Sequence, residues 1–201
     1  MIGTRLPGFR FILASQSPRR QYLLKDLGLD FEIVATDVAE EYPEGLSPEQ
    51  IAVYLSELKA GAFNMTKLPD RVVIITADTI VSLGKEILGK PSGPDEAAEM
   101  LRKLSGRRHD VITAVTLKSV HGMRTFHVTS SVYFKELSDD EIRYYIDTYR
   151  PFDKAGSYGV QEWIGYIGIN KIEGSYFNVM GLPVKELYEE QIGRASCRER
   201  V

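Results

Sequence analysis

One stretch, RVVIITADTIVSL at positions 71–83, constrains the fold more than any other. Its β-branched residues lose side-chain freedom in a helix and fit a pleated surface. It is apolar on both alternations, so it reads as a strand buried on both faces. Such a strand needs partners packed above and below it. At its centre stands Asp78, in the run TADT. A charge there is costly unless it is paired, metal-bound or at an exposed strand end. Asp78 is therefore a candidate general base or metal ligand. The alternative is a turn aspartate bonding its own backbone, if the strand turns at its polar centre.

The rest of the chain alternates strand and helix signals. FILA at 11–14 reads as a short buried strand, and FEIVAT at 31–36 is strand-like. SPEQ at 47–50 and SDDE at 138–141 are capping boxes. The helix after SPEQ places Ile51, Leu55, Leu58 and Ala62 on one face. GPDEAAEMLRKLSG reads as a helix ended by Gly106, and a hairpin is expected around Val120-His121-Gly122. Gly-rich, aromatic strands are expected over 156–181, and a last helix near Pro183. The class is α/β, a mixed sheet with helices on its faces, undivided by any clear linker. A single domain is expected over 1–191. The basic, aperiodic residues 192–201 read as a vector-derived or disordered tail and carry the one cysteine, Cys197. One cysteine forms no internal disulfide, and no apolar run is long enough to span a membrane, so a cytoplasmic protein is expected. A net charge of -3 argues against a nucleic-acid binder, which needs a dense basic face.

LASQSPRR at 13–20 is the second constraining stretch. Ser17 at N-cap and Pro18 at N1 start a helix that runs through Leu23, Leu24 and Leu27 and stops at Gly28. Arg19 and Arg20 fall in its first turn, where a cation is unfavourable by roughly 0.3–1 kcal/mol. The free N–H groups there suit an anion. Two arginines in that place make sense if a multiply charged anion binds. They could also point into solvent or pair with a distant carboxylate. On this reading, removing Arg20 leaves the stability of the ligand-free protein unchanged or slightly higher.

Other candidates carry competing readings. Glu40 and Glu41, near Asp37 and Glu44, could join Asp78 around a hard cation, or form a solvated acidic loop. Lys59 sits near a helix C-terminus, where it also suits the dipole. Lys90 lies in the Gly/Pro-rich LGKPSGP, open to phosphate or merely solvated. Lys154 and Gln161 follow in DKAG and YGVQE, and the Gln161 amide could read a base edge. GKEILGKP has Walker A spacing, but Pro91 replaces the required Ser or Thr. SELK lacks its partner motif. His109, His121 and His127 have no metal spacing.

LASQSPRR, ADTIV, LGKP, ML-x-x-LSG, DKAGSYG and EGSYFNVMGLP, in this order and spacing, resemble the Maf family of nucleoside triphosphate pyrophosphatases. The resemblance runs from about Phe11 to Glu190. It implies an α/β fold, inosine triphosphatase-like, with a mixed sheet around a deep cleft. It implies that Ser15, Arg19 and Arg20 bind phosphates, with Lys59 and Lys90 adding charge. Glu40 and Asp78 would sit by a divalent cation, Mg²⁺ or Mn²⁺, with Asp78 as proton acceptor. Arg19, Thr79 and Gln161 would set base preference, and ADT with the later YG-x-Q is similar to the dTTP- and UTP-preferring branch. Glu162-Trp163 departs from the small residues frequent there. A homodimer is compatible with the resemblance. The competing class is a nucleotide-binding regulator of cell division without turnover.

Overall fold

The computed structural model describes residues 8–35 and 37–190. The strands are β1 (Arg10–Leu13), β2 (Phe31–Ile33), β3 (Val72–Leu83), β4 (Glu86–Leu88), β5 (Arg108–Ser119), β6 (Gly122–Phe134) and β7 (Ile169–Glu173). The helices are α1 (Pro18–Asp26), α2 (Pro48–Gly61), α3 (Pro94–Leu104), α4 (Asp139–Tyr149), α5 (Trp163–Gly168), α6 (Tyr176–Met180) and α7 (184–190). The strands form one mixed sheet ordered β2-β1-β3-β5-β6-β7, with β4 paired to β3. β1 runs parallel to β2 and β3, and the other pairings are antiparallel.

β3 continues straight through its polar centre, so Asp78 is a mid-strand residue opposite Ala114 of β5 and not a turn aspartate. Strand alternation then divides the neighbouring side chains between the two faces. Ile75, Ala77 and Val81 join the large core that includes Leu24, Leu101, Leu104 and Tyr145. Ile80 packs on the other face against Ile51, Ala52 and Leu55 of α2. Asp78 shares Ile80's face and looks toward α2. Thr79 looks toward α1 and α6.

The cleft follows from where β3 loses a neighbour. β1 covers one edge of β3 only as far as Leu13 opposite Ile75, and β4 takes up that edge again at Val81 opposite Leu88. Between them the edge is open, and a cleft of about 940 Å³ lies there. Asp78 and Thr79 therefore both line it, although they belong to opposite faces.

Both capping boxes form, Ser47 with Gln50 and Ser138 with Glu141. Two expectations are corrected. Of 31–36, Phe31–Ile33 is strand, 34–35 are not, and 36 lies outside the described residues. Residues 156–181 are mostly not strand: they hold a 3-10 turn, α5, β7 and α6. Glycines there serve close approaches rather than a ladder. A Cβ at Gly165 would lie 1.9 Å from the Val160 carbonyl oxygen, and one at Gly156 2.9 Å from Val81 Cγ1. The expected tail, 192–201, lies outside the described residues.

Candidate active site

The start of α1 forms one wall. Ser17 is the N-cap residue and Pro18 follows at N1, but the Ser17 side chain makes no capping bond. Ser15 Oγ instead accepts from the Ser17 N–H at 3.2 Å and lies 3.4 Å from Arg20 Nη1. The two arginines divide. Arg19 pairs with Asp153, 3.2 Å away, and both line the cleft. The arginine thus has the distant carboxylate partner that the sequence left open, and it holds it at the cleft wall. Arg20 has no carboxylate in contact among the described residues. Its Nε donates to the Gly181 carbonyl at 2.9 Å and its Nη2 to Thr79 Oγ1 at 3.0 Å. Burial lowers its pKa, against the opposing charge of Asp78.

Thr79 sits at the end of a short relay. Thr113 Oγ1 donates to the Asn178 carbonyl at 2.9 Å, so it accepts from Thr79 Oγ1 at 3.0 Å. The Thr79 hydroxyl proton is then committed, and its oxygen receives Arg20. In this arrangement Thr79 orients the arginine.

Asp78 meets the C-terminal end of α2. Lys59 donates to Asp78 Oδ1 and pairs with Glu40 at 2.8 Å, and Lys90 pairs with the second Glu40 oxygen at 3.2 Å. Burial would raise the Glu40 pKa, but hydrogen bonds and charge from Lys59, with Lys90, hold it down at about 2. Of the two adjacent glutamates, Glu40 lines the cleft. Lys59 and Asp78 are largely buried, whereas the Lys90 side chain is 55% exposed.

The far wall is the segment 153–162. Gly156 and Ser157 both have positive φ, 67° and 60°. The Gly156 N–H bonds the Gly89 carbonyl at 3.1 Å, tying this segment to the Lys90 loop. Tyr158 lines the cleft, and its hydroxyl is 2.7 Å from His109 Nε2 in the core. Gln161 lines the cleft as well, and its Oε1 is buried with no hydrogen-bond partner among the described residues. A buried oxygen is out of a ligand's reach, so the carboxamide nitrogen, which is not buried, is the end of this side chain that can meet one.

The nine residues to which the resemblance gives a role, Ser15, Arg19, Arg20, Glu40, Lys59, Asp78, Thr79, Lys90 and Gln161, all line this one cleft; so does Lys154, whereas Glu41 does not. Sequence reasoning missed Asp153, Thr113, Gly181 and the His109–Tyr158 pair. Their partners are distant in the chain, and no local pattern announces them.

A family model described as Maf-like protein matches residues 10–191. Curated relatives include the dTTP/UTP pyrophosphatase of Porphyromonas gingivalis strain ATCC 33277, 52% identical over 92% of this chain and 94% of its own. The protein of the same name from Phocaeicola vulgatus is 53% identical over 92% and 96%. That from Bacteroides thetaiotaomicron is 49% identical over 94% and 98%. Among solved structures, the Staphylococcus aureus Ham1 protein covers 62% of this chain and 71% of its own with a TM-score of 0.42 at 18% identity, a partial likeness on which nothing below rests.

Proposed function

This chain belongs to the Maf-like family, and from that premise we propose that it hydrolyses nucleoside triphosphates, dTTP and UTP before others, to the monophosphate and pyrophosphate. The observation that carries the reading is the joint placement of Arg19, Arg20, Lys59 and Lys90 around one cleft that also holds Glu40 and Asp78. A triphosphate brings about four negative charges, which positioned cations stabilise far better in a walled cleft than in water. Asp78 also offsets the charge of Lys59, which a site that only bound an anion would use as well, so turnover is what separates the two readings.

The donor set fits a hard divalent cation. Mg²⁺ takes oxygen ligands, usually one or two carboxylates together with substrate phosphates, and Glu40 and Asp78 are the two carboxylates that share Lys59. Such a cation, held by Glu40 and Asp78, would supply charge neutralisation at the phosphates. The remaining steps belong to the chain. Arg20, held by Gly181 and Thr79, presents a fixed guanidinium beside the start of α1. Arg19 and Lys90 can turn from their carboxylate partners to the phosphates. Asp78 Oδ1 is committed to Lys59, which leaves Oδ2 to take a proton from a water attacking the α-phosphorus. Gln161 Nε2 can donate to O4 of uracil or thymine, where cytosine carries an amino donor instead.

The deciding experiment measures pyrophosphate release from a panel of triphosphates with Mg²⁺ or Mn²⁺. dTTP and UTP should lead, with CTP and purines well behind. Tight binding without pyrophosphate release would instead support the nucleotide-binding regulator.

A further inference from the structure

Gln161 stands at a corner of a tight turn. The Glu162 N–H donates to the Gly159 carbonyl at 3.0 Å, which leaves Val160 and Gln161 as the two central residues. A single phenol joins the turn's two ends. Tyr145 of α4, fully buried, accepts from the Gly159 N–H at 3.0 Å and donates its proton to Glu162 Oε2. Burial, then the bond to Glu162 and its charge, push the Tyr145 pKa up, so the hydroxyl keeps its proton. The other Glu162 oxygen pairs with Lys154, itself 8% exposed, at 3.2 Å. Lys154 donates to Asp153 at 2.6 Å, the carboxylate that holds Arg19.

The glycine at the start of the turn shows how closely these groups pack. A Cβ at Gly159 would fall 2.7 Å from Glu162 Cδ and 3.0 Å from Gln161 Nε2. The carboxylate and the carboxamide both fold back over Gly159, where only a hydrogen leaves room. Neither Tyr145 nor Glu162 lines the cleft. Yet both contact the residues that set where the Gln161 carboxamide lies.

We propose that Tyr145 and Glu162 are positioning residues that hold the 159–162 turn, and through it the Gln161 carboxamide, in the geometry that selects the base. The proposal rests on the base-reading role given to Gln161 above. A carboxamide discriminates only while it is held in place, because a mobile one can turn its donor or its acceptor to any base.

Tyr145→Phe is the cleanest test, since it removes one oxygen and keeps the ring that packs in the core. The readouts are kcat/KM for dTTP against GTP, split into kcat and KM, and the inhibition constant of inorganic tripolyphosphate, which has no base. The expected result is a folded variant whose dTTP preference falls by about three- to ten-fold, the worth of one or two net hydrogen bonds, mainly through KM. Tripolyphosphate inhibition stays at its wild-type value. Glu162→Ala should move the preference in the same direction, and Glu162→Gln, which keeps an acceptor for Tyr145, should return most of it. An unchanged preference in Tyr145→Phe and Glu162→Ala, while Gln161→Ala loses it, overturns the positioning role and leaves the base-reading role standing. An unchanged preference in Gln161→Ala overturns both. Equal weakening toward dTTP and tripolyphosphate overturns the proposal by showing a general structural effect.

Discussion

Asp78→Asn separates the two things that Asp78 does in this structure. The substitution keeps the side chain's shape and an oxygen that can accept from Lys59, but removes the charge and the base. Breaking a buried ion pair outright costs roughly 3–5 kcal/mol, because it strands a buried charge. Lys59 is not stranded here, since Glu40 lies 2.8 Å from it. The loss in stability should therefore be nearer the worth of one charge-assisted bond weakened to a neutral one, about 1 kcal/mol. For a chain of this length that lowers Tm by about 2–4 °C. Turnover should fall much further, by about 10²–10⁴-fold, the usual contribution of a positioned base. The assay is pyrophosphate release from dTTP at saturating divalent cation, beside a thermal melt of the same preparation. A variant that melts a few degrees lower but retains near-full turnover would make Asp78 a structural partner of Lys59 and refute the mechanism.

Three further outcomes follow from the same contacts. Arg20→Ala should weaken triphosphate binding and lower ligand-free stability by about 1 kcal/mol, because the bonds to Gly181, Thr79 and Ser15 outweigh the relief at the α1 N-terminus; a melt showing no loss would restore the simpler reading of the sequence. Burial, against the charge of Asp110, depresses the His109 pKa from 6.5 to about 4, so the stability this residue contributes is complete above about pH 6.5 and is lost as pH falls through about 4, roughly 3 kcal/mol in all. Denaturant melts of wild type and His109→Gln between pH 7 and 4 check this, and equal acid sensitivity in both would place the effect elsewhere. Glu40→Gln should bind triphosphate more tightly than wild type when a chelator is present, and should turn it over more slowly with Mg²⁺; weaker binding under chelation would show that Glu40 does not hold Lys59 and Lys90 back.

What the sequence made legible was chemistry that acts locally or at a high price. Capping boxes are read within four residues, and both formed. Asp78 stood out because a carboxylate in a β-branched run needs a reason, and Lys59 supplies one. The segment 156–181 suits strands by its glycine and aromatic composition, and only the tertiary approach of Val81 to Gly156 shows why glycine is needed at that position. The resemblance gives Thr79 a part in base preference. Its tie to Thr113, on the neighbouring strand, cannot be seen until β3 and β5 are set in register, with these two residues directly opposite. The sequence leaves the arginines facing an anion, a distant carboxylate or solvent, and for Arg19 the structure supplies the carboxylate at the cleft. Arg19 waits on Asp153 at the wall of the same cleft.

That waiting arrangement bears on how the cleft tolerates its own charge. Five cations crowded without substrate would repel one another at an energetic cost that folding must absorb. Four of them are held by acids: Arg19 by Asp153, Lys59 by Glu40 and Asp78, Lys90 by Glu40, and Lys154 by Asp153 and Glu162. Arg20 alone is fixed by neutral oxygens, which orient it without cancelling its charge. On the proposed function, a triphosphate entering the cleft meets one guanidinium already aimed and free of any carboxylate contact, and exchanges the other ion pairs for its own. The exchange keeps the net cost of binding low while leaving Asp78 as the carboxylate fixed most deeply in the sheet. On the base-reading role proposed for Gln161, specificity falls to the far wall, where its carboxamide carries no charge. The two ends of the site therefore answer to different physics, charge exchange at α1 and α2 and hydrogen-bond geometry at the 159–162 turn, with Asp153 and Lys154 as the chain of contacts that joins them.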